Sequence, residues 1–287
     1  MWNAVFTPEG FAPEGFTRAM FTRAVFAMLA TIGAVACGSK EPATDVERLA
    51  RGRELVQQMS ARLAAATAVS VTTTETRDLV RATGRREPLS QTGIYTVRRP
   101  DRFYAKMTGG LGLESWYNGK TITIASHPEK VFGQAPMPDT VDRTLDALAE
   151  RYDMALPLGD LFYSSAEHAL LSDTTTGGYA GTENVGDTPC VHLAFKDVGV
   201  DWELWLPVQG EPLPKRFKIV QKRRTGQPIV DVTFTVWNLT PQVTDATFVP
   251  KVPPEYEGIA VVQRAAAIKN APPPEPPAEP AVPAARQ

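Results

Sequence analysis

Residues 189–206 read PCVHLAFKDVGVDWELWL, and their alternation decides the fold. Val191, Leu193 and Phe195 share one face against Cys190, His192 and Lys196; a few residues on, Trp202, Leu204 and Leu206 oppose Asp201 and Glu203. A period of two belongs to strands with one face on an apolar core and the other in water. The pattern continues downstream, where Phe217 and Ile219 oppose Lys218, and Val230, Val232, Phe234 and Val236 oppose Asp231, Thr233 and Thr235. Upstream lie Tyr179 to Val185, the β-branched run from Val69 to Val80, and Gln91 to Arg98, Arg102 to Met107, Glu114 to Tyr117 and Lys120 to Ala125. Gly and Pro punctuate them at the spacing of an antiparallel meander, and Thr247 to Val252 supplies a last strand.

Two segments carry the helical period instead. Thr44-Asp-Val-Glu47 is a capping box, and Val46, Leu49, Val56, Met59 and Leu63 behind it predict an amphipathic helix of roughly 20 residues. From Asp139, a candidate N-cap, to Tyr152, the residues Val141, Leu145, Leu148 and Tyr152 fall on one helical face. The expected fold is therefore mainly β (α+β): one curved antiparallel sheet of about 10–11 strands, an unclosed β-barrel, with an N-terminal amphipathic helix and a helical lid available to its apolar concave side.

Length and charge fit this picture. The 287 residues carry 30 Lys+Arg against 32 Asp+Glu, a net −2, with 43% hydrophobic and 22% charged residues. That supports a sizeable core and argues against both wholesale disorder and nucleic acid as a partner. Two cysteines exclude a disulfide framework, and three scattered histidines argue against a metal site. Nothing in the sequence sets an oligomeric state.

The two ends are not fold. Arg23 precedes an uncharged 13-residue run, Ala24 to Ala36, the length of a secretory h-region and too short to span a bilayer. It ends in Ala34-Val35-Ala36-Cys37-Gly38, which resembles a bacterial lipobox, with Ala34 where Leu is usual. The resemblance implies a signal peptide over 1–36, a lipid on Cys37, a tether over 37–43 and, with Gly38 rather than Asp after the Cys, the periplasmic face of the outer membrane; the alternative is an ordinary secretory signal. Met20 is a second candidate start. The body runs over 44–268. From 269 the tail is Pro- and Ala-rich, with seven prolines between Pro272 and Pro283, and reads as a solvated polyproline spacer or a docking strip.

Within the body, Thr96-Val-Arg-Arg-Pro-Asp-Arg-Phe-Tyr-Ala-Lys and Trp116-Tyr-Asn-Gly-Lys resemble the signature of Lol-type lipoprotein carriers and receptors. Asp142 to Phe162, Pro189-Cys-Val-His-Leu-Ala-Phe, Asp201-Trp-Glu-Leu-Trp and Leu213-Pro-Lys-Arg-Phe are similar to an uncharacterised family of predicted periplasmic proteins. The resemblance covers about 53–257 and implies a half-barrel whose lid closes over a hydrophobic cavity for a lipid or a lipoprotein acyl chain. An envelope interaction or stress-sensor module, binding a protein through lid and tail, is the other role it suggests.

A ligand under such a lid would meet Phe103, Met107, Trp116, Ile122 and Ile124 from the first strands. It would meet Val141, Leu145 and Leu148 from the lid helix. The later strands would add Leu193, Phe195, Trp202, Leu204, Phe217, Ile219, Val232 and Phe234. Alternation alone leaves open whether the helices cover a cavity or fill it. The Arg98-Arg99-Pro-Asp-Arg102 cluster reads as a solvated turn held by local ion pairs, or as a headgroup site. Asp142 with Asp146, and Asp201 with Glu203, read as solvated faces. No catalytic signature is present: no nucleophile elbow, zinc motif, Walker loop or C-x-x-C, and no third group to orient a Cys190–His192 pair. No enzyme activity, cofactor or metal is expected, and Cys190 reads as a buried small residue or an unpaired thiol.

Overall fold

The structure, a computed structural model, describes residues 41–81, 84–152, 154, 156 and 158–261. The signal peptide, Cys37, most of the tether and the Pro-rich tail expected from the sequence lie outside these residues. No described helix is long and apolar enough to cross a membrane.

The chain opens with α1 (Asp45–Ala64) and a meander of six strands: β1 (Ala68–Val80), β2 (Arg86–Arg98), β3 (Arg102–Gly109), β4 (Leu113–Tyr117), β5 (Thr121–Ser126) and β6 (Val131–Pro136). Three helices follow, α2 (Val141–Tyr152), α3 (Gly159–Phe162) and α4 (Ala166–Leu171). The second half is β7 (Thr174–Val185), β8 (Thr188–Asp197), β9 (Val200–Pro207), β10 (Arg216–Gln221) and β11 (Ile229–Asn238), then a 3-10 turn (Asp245–Phe248) and β12 (Glu257–Ala260). All twelve strands form one sheet in the order β12-β6-β5-β4-β3-β2-β1-β11-β10-β9-β8-β7. The two halves join where β11 pairs antiparallel with β1, while β7 and β12 remain edges, so the barrel is not closed. Bulges between Thr72 and Thr73 and between Tyr179 and Gly181 add local twist to a sheet already twisted by backbone sterics.

Cross-strand register sorts the faces. Val71, Tyr95, Ala105, Ser115 and Ile124 form one inward row across β1 to β5; Glu75, Val232, Phe217, Leu204 and Leu193 form another across β1, β11, β10, β9 and β8. Onto this concave face α1 lays Leu55, Val56, Met59 and Leu63, all buried. Its capping box forms as the sequence predicts, with Thr44 Oγ1 accepting from Glu47 N and Glu47 Oε2 accepting from Thr44 N. The helix approaches β7 through two glycines: a Cβ on Gly52 would stand 2.6 Å from Gly178 Cα.

Three elements differ from the sequence expectation. The sheet has two strands more at one edge, β6 and the short β12, which runs parallel to β6. Gly133 and the terminal Pro136 hid the alternation of β6. The Thr247–Val252 segment is not a strand: the 3-10 turn buries Phe248 against Arg98, whose guanidinium sits 5.2 Å from the ring centroid. At the start of α2 the cap is Thr140, whose hydroxyl accepts from Arg143 N, while Asp139 pairs with the Arg143 side chain instead.

Candidate functional site

The concave face and its helices share one apolar core. Phe103, Ile122, Val141, Leu145, Leu148, Leu193, Phe195, Trp202, Leu204, Phe217, Val232 and Phe234 are buried in it, and Ile124 and Ile219 pack partly buried against it. Met107 is buried on the same sheet face, opposite Gly93. Trp116 is not on this face. Its register partners are Tyr104 and Thr123, so its buried ring lies on the outer side, and the inward residue of that pair is Tyr117. Two bulky aromatics in succession gave the sequence no phase; Tyr117 was the one missed.

Aromatic rings organise the interior. Phe195 stacks on Trp202 at 4.3 Å between centroids, and Trp202 meets Phe217 at 6.1 Å edge-on. From the helical side, the Phe162 ring stands 5.9 Å from both Tyr95 and Phe103. Thus α3 sets an aromatic plug against the inner face of β2 and β3, and Leu158, Leu161, Leu170 and Leu171 share the core with it. Two hollows on the described surface lie elsewhere. One, of about 630 Å³, is lined by Thr74, Thr76, Thr92, Thr233, Arg216 and Asp231; another, of about 350 Å³, includes Pro207, Leu213 and Trp237. Neither of these two is lined by a residue of α1 to α4.

A small set of polar contacts holds the helices there. Arg99 Nη1 donates to the Phe162 carbonyl at 2.8 Å, and Arg99 Nε is buried with no acceptor among the described residues. Burial pulls this guanidinium below its ordinary pKa, with Asp142 opposing the shift. Asp142 accepts from Ser164 N at 3.0 Å and from the Ser164 hydroxyl, and the Tyr163 hydroxyl donates to Asp146 at 2.8 Å. On the other side Ser60 of α1 accepts from Glu167 N at 3.0 Å. The acids expected on a solvated face therefore tie α2 to the turn after α3. In the arginine cluster, only the Arg102–Asp101 pair is local; Arg98 pairs with Asp245, and Arg99 reaches the helices.

One buried charge interrupts the apolar face. Glu75 accepts from Thr73 Oγ1 at 2.8 Å, from Gln91 Nε2 at 2.8 Å and from the Tyr95 hydroxyl at 2.5 Å. Burial first, and the adjacent carboxylate second, push the Tyr95 phenol upward, so it stays a donor. Gly93 leaves the room for this cluster.

Cys190 and His192 do not form a nucleophilic pair. The buried Cys190 thiol faces the Thr188 carbonyl, and burial raises its pKa, which keeps it protonated. His192 binds Glu203 at 2.8 Å and stacks on Trp205 at 4.4 Å. Among the described residues no three His, Cys, Asp or Glu side chains converge as a metal site.

The family profile described as predicted periplasmic protein DUF2092 matches residues 52–262. The chain belongs to this family. No curated protein matches it. An uncharacterised conserved protein from Thermus thermophilus is similar in structure at 11% identity, covering 72% of this chain and 98% of its own, with a TM-score of 0.43. The lipoprotein LppX of Mycobacterium tuberculosis is similar at 12% identity, with 67% and 97% coverage and a TM-score of 0.38. A LolA-superfamily protein from Nitrosomonas europaea is similar at 9% identity, with 70% and 98% coverage and a TM-score of 0.35. The DUF2092 profile covers nearly the whole body, as the sequence resemblance implied. At these TM-scores the functional reading rests on this chain's own residues.

Proposed function

We propose that this DUF2092 protein is a non-catalytic lipoprotein, held by a lipid on Cys37 at the periplasmic face of the outer membrane. Its concave sheet face takes a hydrophobic ligand, a lipid or a lipoprotein acyl chain, in place of the α3–α4 side chains. The observation that carries this reading is the mode of closure. The interior is almost wholly apolar, yet the plug helix α3 is only four residues long and is fastened by a charged donor on a carbonyl plus two carboxylate contacts. A core built only for stability has no need of a separately fastened plug. Exchanging Phe162 and its neighbours for an alkyl chain replaces apolar contact with apolar contact, so burial is conserved and only the fastening is lost. The ligand face is formed by Phe103, Ile122, Phe195, Trp202, Phe217 and Phe234, with Val141, Leu145 and Leu148 moving as the lid.

Native mass spectrometry of the full chain carrying Cys37→Ser, purified without detergent, tests this. The expected spectrum contains a second species heavier by one amphiphile. A ligand-free spectrum that stays so after incubation with fatty acid and phospholipid would overturn the proposal.

A further inference from the structure

One row of inward positions marks where the concave face meets water. Register aligns Leu89, Arg77, Val230, Ile219, Trp202 and Phe195 across β2, β1, β11, β10, β9 and β8. Trp202 and Phe195 are buried, whereas Leu89, Val230 and Ile219 are half-buried. The next row inward, from Glu75 through Val232, Phe217 and Leu204 to Leu193, is buried throughout. The mouth of the apolar interior therefore runs along the first row, and Arg77 stands in it.

This guanidinium is unusually placed. The Arg77 side chain is only 21% exposed, makes no hydrogen bond among the described residues, and has a buried Nε. Its one ion-pair partner there is Glu75, whose Oε2 stands 3.9 Å from Arg77 Nη2. That oxygen already accepts from Gln91, and Oε1 is taken by Thr73 and Tyr95. Neighbouring acids do not supply the missing acceptor. Asp78 and Asp231 lie on the opposite face of the sheet, where Asp78 accepts from Ile229 N and Asp231 holds Arg216. Glu87, across from Leu79, binds Arg81, and Asp201 binds Lys222. Asp197 is on β8, four strands away. On α1, Glu47 is engaged at the cap and Glu54 by Arg51, and Asp45 is exposed.

Buried polar groups in folded proteins almost always have a partner, so unfilled donors on a largely buried arginine need an explanation. Their setting supplies one. A guanidinium fork pairs two oxygens of a carboxylate or phosphate, and the aliphatic side chains beside Arg77 would take the first methylenes of a chain attached to it. The distance also fits. From Arg77 to Val71 is six residues along β1, about 20 Å. Val71 pairs with Tyr95, whose ring stands 5.9 Å from the Phe162 plug. A long acyl chain laid over Val232 and Phe234 of the adjacent β11 joins the two places.

We infer that the hydrophobic ligand carries a singly charged oxyanion head, a carboxylate or a phosphodiester, which Arg77 binds at the mouth while the alkyl chain runs inward to the plug. This rests on the ligand reading above and adds the chemistry of the ligand's polar end.

The test compares palmitate, hexadecanol and hexadecyl methyl phosphate, delivered from cyclodextrin to the full chain carrying Cys37→Ser at mildly alkaline pH and read by tryptophan fluorescence. At least one anion should bind about tenfold or more tightly than the alcohol, the usual weight of a charged hydrogen bond. A preference for one anion alone assigns the head. Arg77→Gln should abolish the preference and leave hexadecanol affinity within about twofold of the parent, and Arg77→Lys should keep part of it. Hexadecanol binding as tightly as both anions in the parent, or a preference that survives Arg77→Gln, would overturn this inference and leave the ligand reading standing. Binding of none of the three would overturn both.

Discussion

Gly93 stands opposite Thr73 on the β1–β2 ladder and diagonal to Glu75, so close that a Cβ on it would stand 2.5 Å from Glu75 Oε1 and 2.5 Å from Thr73 Oγ1. This glycine serves space, not backbone conformation. Gly93→Ala should destabilise the fold by about 1–3 kcal/mol, the usual cost of overpacking, read from chemical denaturation with an unchanged slope. Glu75→Ala should cost at least as much, because Tyr95, Gln91 and Thr73 then lose a common acceptor.

The α1–β7 contact makes an opposite-to-expected case. In an exposed helix, Gly→Ala stabilises by about 1 kcal/mol. At Gly52 the added methyl would meet Gly178 Cα at 2.6 Å and Phe195 Cζ at 2.9 Å. Gly52→Ala should therefore lower the melting temperature despite its better helix propensity.

Acid should loosen the outer face of the second half. Burial acts to raise Glu203, but hydrogen bonds and charge from Lys218 and His192 win and hold it below the ordinary carboxylate value. A carboxylate with a lowered folded pKa contributes stability above its unfolded value, about 4.3, and loses it as pH falls through the folded one. The difference in melting temperature between the parent and Glu203→Gln should be present at neutral pH and vanish in acid.

Cys190 should be silent in the native state. With Cys37→Ser in place, a thiol reagent should label Cys190 only at the rate of unfolding, because the side chain is fully buried and its thiolate disfavoured. Prompt labelling would place the thiol on an accessible surface.

The strands with clean alternation, from Pro189 to Trp237, were legible because one face is wet and the other dry, and the inward residues named from them lie in the core or pack against it, except Val236, which is 60% exposed opposite Thr72 at the bulge between Thr72 and Thr73. Legibility failed where that contrast failed. In β4, Trp116 and Tyr117 are both buried because the chain after β11 covers the outer face there, with Tyr256 on His127 and His127 on Glu114, so the period of two vanished. In β6, Gly and Pro masked a strand whose second partner, β12, arrives more than 120 residues later. The polar fastening of the lid was the hardest to foresee. Asp142, Asp146 and Arg99 look like surface charges in sequence, and only tertiary folding brings Phe162, Tyr163 and Ser164 to them.

The central claim is that the concave face exchanges its own plug for an apolar ligand, and Arg99 gives direct access to it. Titration of a fluorescent fatty acid into the full chain carrying Cys37→Ser, with and without Arg99→Ala, measures that exchange. Removing one charged hydrogen bond worth about 1.5–3 kcal/mol from the closed state should tighten binding by at least tenfold. Absence of saturable binding in both proteins, with the fold intact, would contradict the account.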